Sequence, residues 1–178
     1  MNELSATGEP VSIEILHEVE MLLRKEARLL DNEELRVWLD TIVDPEIRYQ
    51  MVISEERFRN DRSEKRLKEV MPYDETYAEL DLRVRQFESG LQHMGNPAQR
   101  MMRCISNVEA FLGGPNGELR VRSYCVVHRT RRLYENYMTP FIRNDRLRRD
   151  AGDSLRLIGR RVILGQRVVL DKNLLYFV

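Results

Sequence analysis

Few residues in this chain have both the type and the spacing that chemistry needs. Histidine occurs three times, at His17, His93 and His128, and cysteine twice, at Cys104 and Cys125. No two of them stand at the short intervals that hold zinc or an iron–sulfur cluster, and neither cysteine lies in a CxxC or CxH context. A mononuclear iron site of two histidines and a carboxylate would have to be drawn from distant segments. There is no GxSxG serine, no local Cys and His signature of a nucleophilic enzyme and no glycine-rich phosphate loop. One acid–base set survives the search: His128 with Tyr49, Tyr124 or Asp145, gathered in a pocket under a curved sheet. Tyr and His on a strand more often serve as core or rim residues with a satisfied polar tip. The residues alone therefore assign no catalytic, cofactor-binding or metal-ligating position.

The element that would position His128 and Tyr124 is a long hairpin, AQRMMRCISNVEAFL and LRVRSYCVVHRT joined by GGPNGE. In its second arm Leu119, Val121, Cys125 and Val127 alternate with Arg120, Arg122, Tyr124 and His128, the period of a half-buried strand. The first arm places Met102, Cys104, Val108, Ala110 and Leu112 on one face, with Ile105 and Phe111 on the other. Gly113, Gly114, Pro115, Asn116 and Gly117 supply the turn. Both cysteines fall on the more apolar face of their arms, so buried free thiols are expected.

Residues 1–11 read as a loose tail and 12–178 as a single domain. Ser12 caps a helix whose stripe is Ile13, Leu16, Val19, Leu23, Ala27 and Leu30. Asp31 and Glu34 have the spacing of a capping box, with Leu30 and Leu35 as a staple, for a second short helix through Trp38. Trp38, the only tryptophan, reads as core packing. Glu46 to Ser54 alternates as a first strand, and the charged run 55–69 as a solvated excursion. After Pro72 a third helix opens at Asp74 and carries Tyr77, Leu80, Val84, Phe87 and Leu91. Strands follow at Leu133 to Arg143 and Leu155 to Leu164, joined by the polar DRLRRDAGD. The chain ends on apolar Leu174 to Val178, expected as a sheet strand, an interface or both. Helices first and consecutive strands afterwards suit an α+β fold with helices gathered on one side of an antiparallel sheet, not a doubly wound nucleotide fold.

Apolar residues make up 42% of the 178 and charged residues 33%, enough core formers for one folded domain. No run approaches the roughly 18 apolar residues of a membrane span. MNELSATGEPVS lacks the basic start and apolar segment of a secretion signal, so a cytoplasmic protein is expected. The net charge is zero, but from Ala98 onward sixteen Lys and Arg face seven Asp and Glu, while the first 97 residues hold thirteen and twenty-two. Sheet arginines are expected to meet helix carboxylates or an acidic partner. Nucleic acid is disfavoured, because no stacked aromatics interleave the arginines.

Five segments in order, EARLLDNEELRVWLD, YDETYAELDLRVRQ, NPAQRMMRCISNV, DRLRRD and RRVILGQRVVLDKNLLYFV, resemble the beta, or small, subunit of Rieske-type aromatic-ring-hydroxylating dioxygenases. The stretch PFIRNDRLRR departs from the family's usual Gly-Arg-Arg at a turn placed over Ile142 to Arg146. The resemblance implies a cone-shaped fold, a curved antiparallel or mixed sheet packed on three helices, shared with scytalone dehydratase and nuclear-transport-factor-like (cystatin-like) proteins. It implies a structural role beside a large alpha subunit, three of each. That subunit would hold the Rieske [2Fe-2S] cluster and the mononuclear non-haem iron, leaving no catalytic, cofactor or metal residue in this chain. The complex would dihydroxylate an aromatic ring with oxygen and NAD(P)H, through a reductase and sometimes a ferredoxin. The competing readings are a free-standing lyase or isomerase on the same cone, and a small binding module without partners.

Overall fold

The computed structural model describes residues 8–54, 69–90, 99–113, 117–166, 171, 174 and 176–178. Within them lie three helices, α1 (Ile13–Asp31), α2 (Leu35–Thr41) and α3 (Tyr77–Glu88). The strands are β1 (Glu9–Pro10), β2 (Val43–Ser54), β3 (Glu69–Thr76), β4 (Arg100–Leu112), β5 (Leu119–Arg131), β6 (Glu135–Arg149) and β7 (Leu155–Leu164). They form one sheet in the order β1-β4-β5-β6-β7-β2-β3, antiparallel except where β2 runs parallel to β7. This is the expected α+β class, with a mixed sheet. Helix residues Val19, Leu23, Leu30, Trp38, Leu80 and Val84 share one core cluster with Val121, Val127, Phe141 and Val162 of a single sheet face. All three helices thus cover the inner face, and among the described residues the outer face carries none. No helix among the described residues is long and apolar enough to cross a membrane.

Helix α1 starts where Ser12 accepts a hydrogen bond from the Ile15 N–H, with Glu14 in its first turn and Arg28 in its last, as the helix dipole favours. The expected capping box at Asp31 does not form. Glu34 caps α2 without a side-chain bond, because the Asp31 carboxylate is taken by the Arg103 N–H at 3.0 Å and by the Arg103 guanidinium. An ion pair across the core outcompetes the local cap. Likewise α3 opens at Tyr77, not at Asp74. The Thr76 N–H and hydroxyl both donate to Glu79 (2.7 and 2.9 Å), and Asp74 sits in β3, where Arg48 grips both its oxygens (2.8 and 2.6 Å). Pro72 concealed β3, an edge strand on which a proline is tolerated.

Three other expectations change. Glu9 and Pro10, read as tail, pair with Leu112 and Phe111. Val108 and Ala110 keep their inward face in β4, but Met102 and Cys104 lie outward, with Met102 56% exposed and Cys104 exposed. Asn107 has a φ of 50° at the register shift between Ser106 and Glu109, and such a bulge exchanges the faces of a strand. Before the bulge it is Arg103 that points inward and is buried. Finally, DRLRRD is not a linker, and no turn lies over Ile142 to Arg146. β6 continues to Arg149 with Arg143, Asp145 and Leu147 buried. The charged run 55–68 lies outside the described residues, as do His93 and the turn residues Gly114, Pro115 and Asn116.

Candidate functional site

The inner face of the sheet is where a pocket would be, and its centre holds charge instead. Strand register sets Asp145 of β6 directly beside Arg160 of β7, and Arg143 points the same way two residues earlier on β6. From the helical side α1 contributes Glu26, which lies on its apolar stripe three residues after Leu23 and four before Leu30. Arg160 spans the two carboxylates. Its Nη1 and Nη2 donate to Glu26 at 2.7 and 2.9 Å, and its Nε and Nη2 donate to Asp145 at 2.8 Å each. Arg143 adds Nη1 to Glu26 at 3.2 Å and Nε to the Ser123 hydroxyl at 3.3 Å. The Trp38 Nε1–H donates to Glu26 at 3.1 Å, so the single tryptophan packs as expected and also fixes this carboxylate.

The C-terminal segment closes the same space. The Val178 main-chain oxygen accepts from Arg160 Nη1 (2.8 Å) and from the Tyr49 hydroxyl (3.0 Å), which in turn accepts from the Val178 N–H (2.9 Å). Phe177 packs on Trp38, ring centroids 4.6 Å apart, with the Arg83 guanidinium 4.2 Å from its own centroid. The Phe177 carbonyl accepts from Arg103 at 2.6 Å. Tyr176, Phe177 and Val178 are buried in the core of their own chain, by packing and not as a strand of the sheet. Beside them, a cleft lined by Leu30, Leu35, Phe87, Met101 and Phe177 leaves room for about one water molecule.

Two carboxylates and two guanidinium groups balance, which is the condition under which charge survives burial. Burial opposes ionisation of Glu26, yet Arg160, Arg143 and the Trp38 hydrogen bond outweigh it and hold its pKa down to about 2. Burial likewise opposes the charge on Arg160, and Asp145 and Glu26 overcome it, raising its pKa well above the usual arginine range. Burial pushes the Tyr49 hydroxyl and the Cys125 thiol up, and Tyr176 up to about 12. Each of these shifts fixes its group in one protonation state near neutrality. The network can lock helix, sheet and C-terminal segment together.

The residues singled out from sequence do not assemble. Tyr49 and Asp145 face inward and belong to this network, whereas Tyr124 and His128 lie on the outer face of β5. There the His128 Nε2 pairs with the Asn136 side-chain oxygen at 2.8 Å. Cys125 faces inward and Cys104 outward, and His17 lies on α1, so these donors cannot surround one iron–sulfur cluster. The described residues contain no group of three or more His, Cys, Asp or Glu able to hold a metal ion. Sequence reading missed Glu26, Arg143 and Arg160. The signals were a glutamate inside an apolar stripe and the pair Arg160–Arg161 inside an apolar strand, one of which must face the core.

Residues 25–171 match the model of the ring hydroxylating beta subunit family. The small oxygenase component of the naphthalene 1,2-dioxygenase system of Pseudomonas putida is 33% identical over 162 residues, covering 90% of this chain and 83% of that one. A solved naphthalene 1,2-dioxygenase with indole in its active site superposes a chain with a TM-score of 0.87 at 29% identity, over 94% of this chain and 88% of that one. A Nostoc punctiforme protein with a cystatin-like fold matches with a TM-score of 0.55 at 19% identity, over 91% and 98%, and is alike in fold alone. The chain belongs to the beta-subunit family of ring-hydroxylating dioxygenases, the small oxygenase components of enzymes that oxidise aromatic rings.

Proposed function

We propose that this chain is the structural subunit of a cytoplasmic terminal oxygenase, one domain over residues 12–178 that supports the assembly of large alpha subunits, three of each. In this reading the alpha subunits carry the Rieske [2Fe-2S] cluster and the mononuclear iron. They dihydroxylate the aromatic substrate with oxygen and with electrons passed from NAD(P)H through a reductase, with or without a ferredoxin. No catalytic, cofactor-binding or metal residue is assigned to this chain. The observation that supports the reading is the inner face as the described residues fill it. Where a lyase or isomerase of this fold would need a cavity and a titrating group, this chain has a balanced ion network and its own Phe177 and Val178.

Two measurements test it. The purified chain is expected to bind no stoichiometric iron and to turn over no aromatic compound, whereas adding it to the large subunit is expected to yield a hetero-oligomer with ring-hydroxylating activity. Tightly bound iron near one atom per chain, found by metal analysis, would overturn the structural role.

A further inference from the structure

We infer that the outer face of β4, β5 and β6 is the surface on which the large oxygenase subunit docks, through an apolar strip laid beside a row of arginines. The inference rests on the structural role proposed above and adds the surface and its chemistry. Register divides this face in two. On one half Tyr124 stands beside Ile142, Val126 beside Pro140, and His128 between Met102 and Met138. Met102 and Met138 are 56% and 65% exposed, and Leu133 and Tyr134, in the turn that ends this half, 83% and 89%. Contiguous apolar exposure of this kind on a sheet face marks an interaction site. On the other half Arg122 stands beside Asn144, and Arg120 beside Arg146. Glu109, opposite Arg122, is the one carboxylate that β4, β5 and β6 present in those rows.

Area and charge decide the occupant. At strand spacings of about 4.8 Å and rises of about 3.4 Å per residue, the apolar half covers roughly 400 Å² and the whole face roughly 600 Å². Stable interfaces need about 600 to 1,000 Å² per partner, so both halves must be covered. A second copy of this chain stacked face on face cannot cover both. Row against row it sets arginine on arginine, and reversed it sets Arg120 and Arg146 on Met102 and Met138, leaving desolvated charges without carboxylates. The complementary surface is an apolar strip flanked by acidic residues on a different chain. Among the described residues the three helices occupy the inner face, and the outer face is the broad side of the sheet that offers itself to that chain.

The test is binding to the affinity-tagged large subunit. Met102→Glu combined with Met138→Glu, and separately Arg120→Glu combined with Arg146→Glu, should each weaken association by about 30-fold or more. Ile13→Glu and Leu82→Glu, at exposed helix positions, should not. Thermal unfolding of the isolated variants should match the wild type, because every altered side chain on the face is at least partly exposed. In a second readout, the Cys104 thiol, on the same face, should be open to alkylation in the free chain and protected in the complex. Undiminished binding of both face variants, or loss confined to the helix variants, would overturn the inference while leaving the structural role standing. A wild-type chain that never binds the large subunit would overturn the role itself and the inference with it. A free chain that dimerises in sedimentation, and is returned to monomer by the methionine variant, would assign the face to a second copy and sink the inference.

Discussion

Glu26 occupies a position that helix periodicity reserves for an apolar side chain, and its charge is retained there because Arg143 and Arg160 arrive from two neighbouring strands. Removing one member of such a buried group leaves the others uncompensated. Glu26→Gln is expected to cost about 3 to 5 kcal/mol at neutral pH. The pH dependence follows from the depressed pKa. A carboxylate that titrates near 4.5 when unfolded and at about 2 when folded stabilises fully above the unfolded value and loses its contribution as pH falls toward the folded one. That contribution is about 3 kcal/mol. Urea unfolding of wild type and Glu26→Gln should therefore differ by a constant amount above about pH 5 and converge between about pH 4.5 and 2. A gap that does not narrow would mean that Glu26 is not the ionised centre of the network.

At the scale of elements, a single residue in β4 determines which side chains face the core. Asn107 adopts a positive φ, which asparagine and glycine tolerate and β-branched residues do not. Asn107→Gly should leave stability within about 0.5 kcal/mol of the wild type, and Asn107→Val should lower it by about 1 to 2 kcal/mol. The bulge also predicts opposite fates for the two thiols. In the native free chain Cys104 should react promptly with a chromogenic disulfide reagent and Cys125 only on unfolding, whereas unbroken alternation through β4 would protect both. The same element explains why the capping-box pattern at Asp31 forms no cap. The local pattern was correct, but Arg103, turned inward by the bulge, claimed the carboxylate.

At the scale of the molecule, the interior is closed by a segment that lies outside the sheet. Tyr176, Phe177 and Val178 fill the space between α2, β2 and the ion network. Burying three large side chains contributes up to roughly 5 to 9 kcal/mol, an upper bound for an extended unfolded reference. A typical domain has about 5 to 15 kcal/mol in total. Deleting the three residues is therefore expected to abolish cooperative unfolding of the free chain and its recovery in complex with the large subunit. Circular dichroism melts and size-exclusion chromatography would show it. A truncated chain that melts cooperatively near the wild-type temperature would show that the interior closes without them.

The sequence by itself determined the amphipathic stripe of α1 beyond its exposed first residue, Ile13, that of α3, the alternation of β5, the hairpin, the α+β order of elements and, through five ordered segments, the family. These are local periodicities and motifs, written in neighbouring residues. It did not determine the face exchange in β4, the strand at Glu69–Thr76 or the continuation of β6 through DRLRRD, where charged residues looked like a linker because their partners lie far away in the chain. Glu26 is 117 residues from Arg143 and 134 from Arg160. Whether such a residue is solvated or buried depends on whether an opposite charge is brought within hydrogen-bond reach, and only the tertiary fold, which lays α1 over the sheet so that Glu26 reaches Arg143 of β6 and Arg160 of β7, decides that.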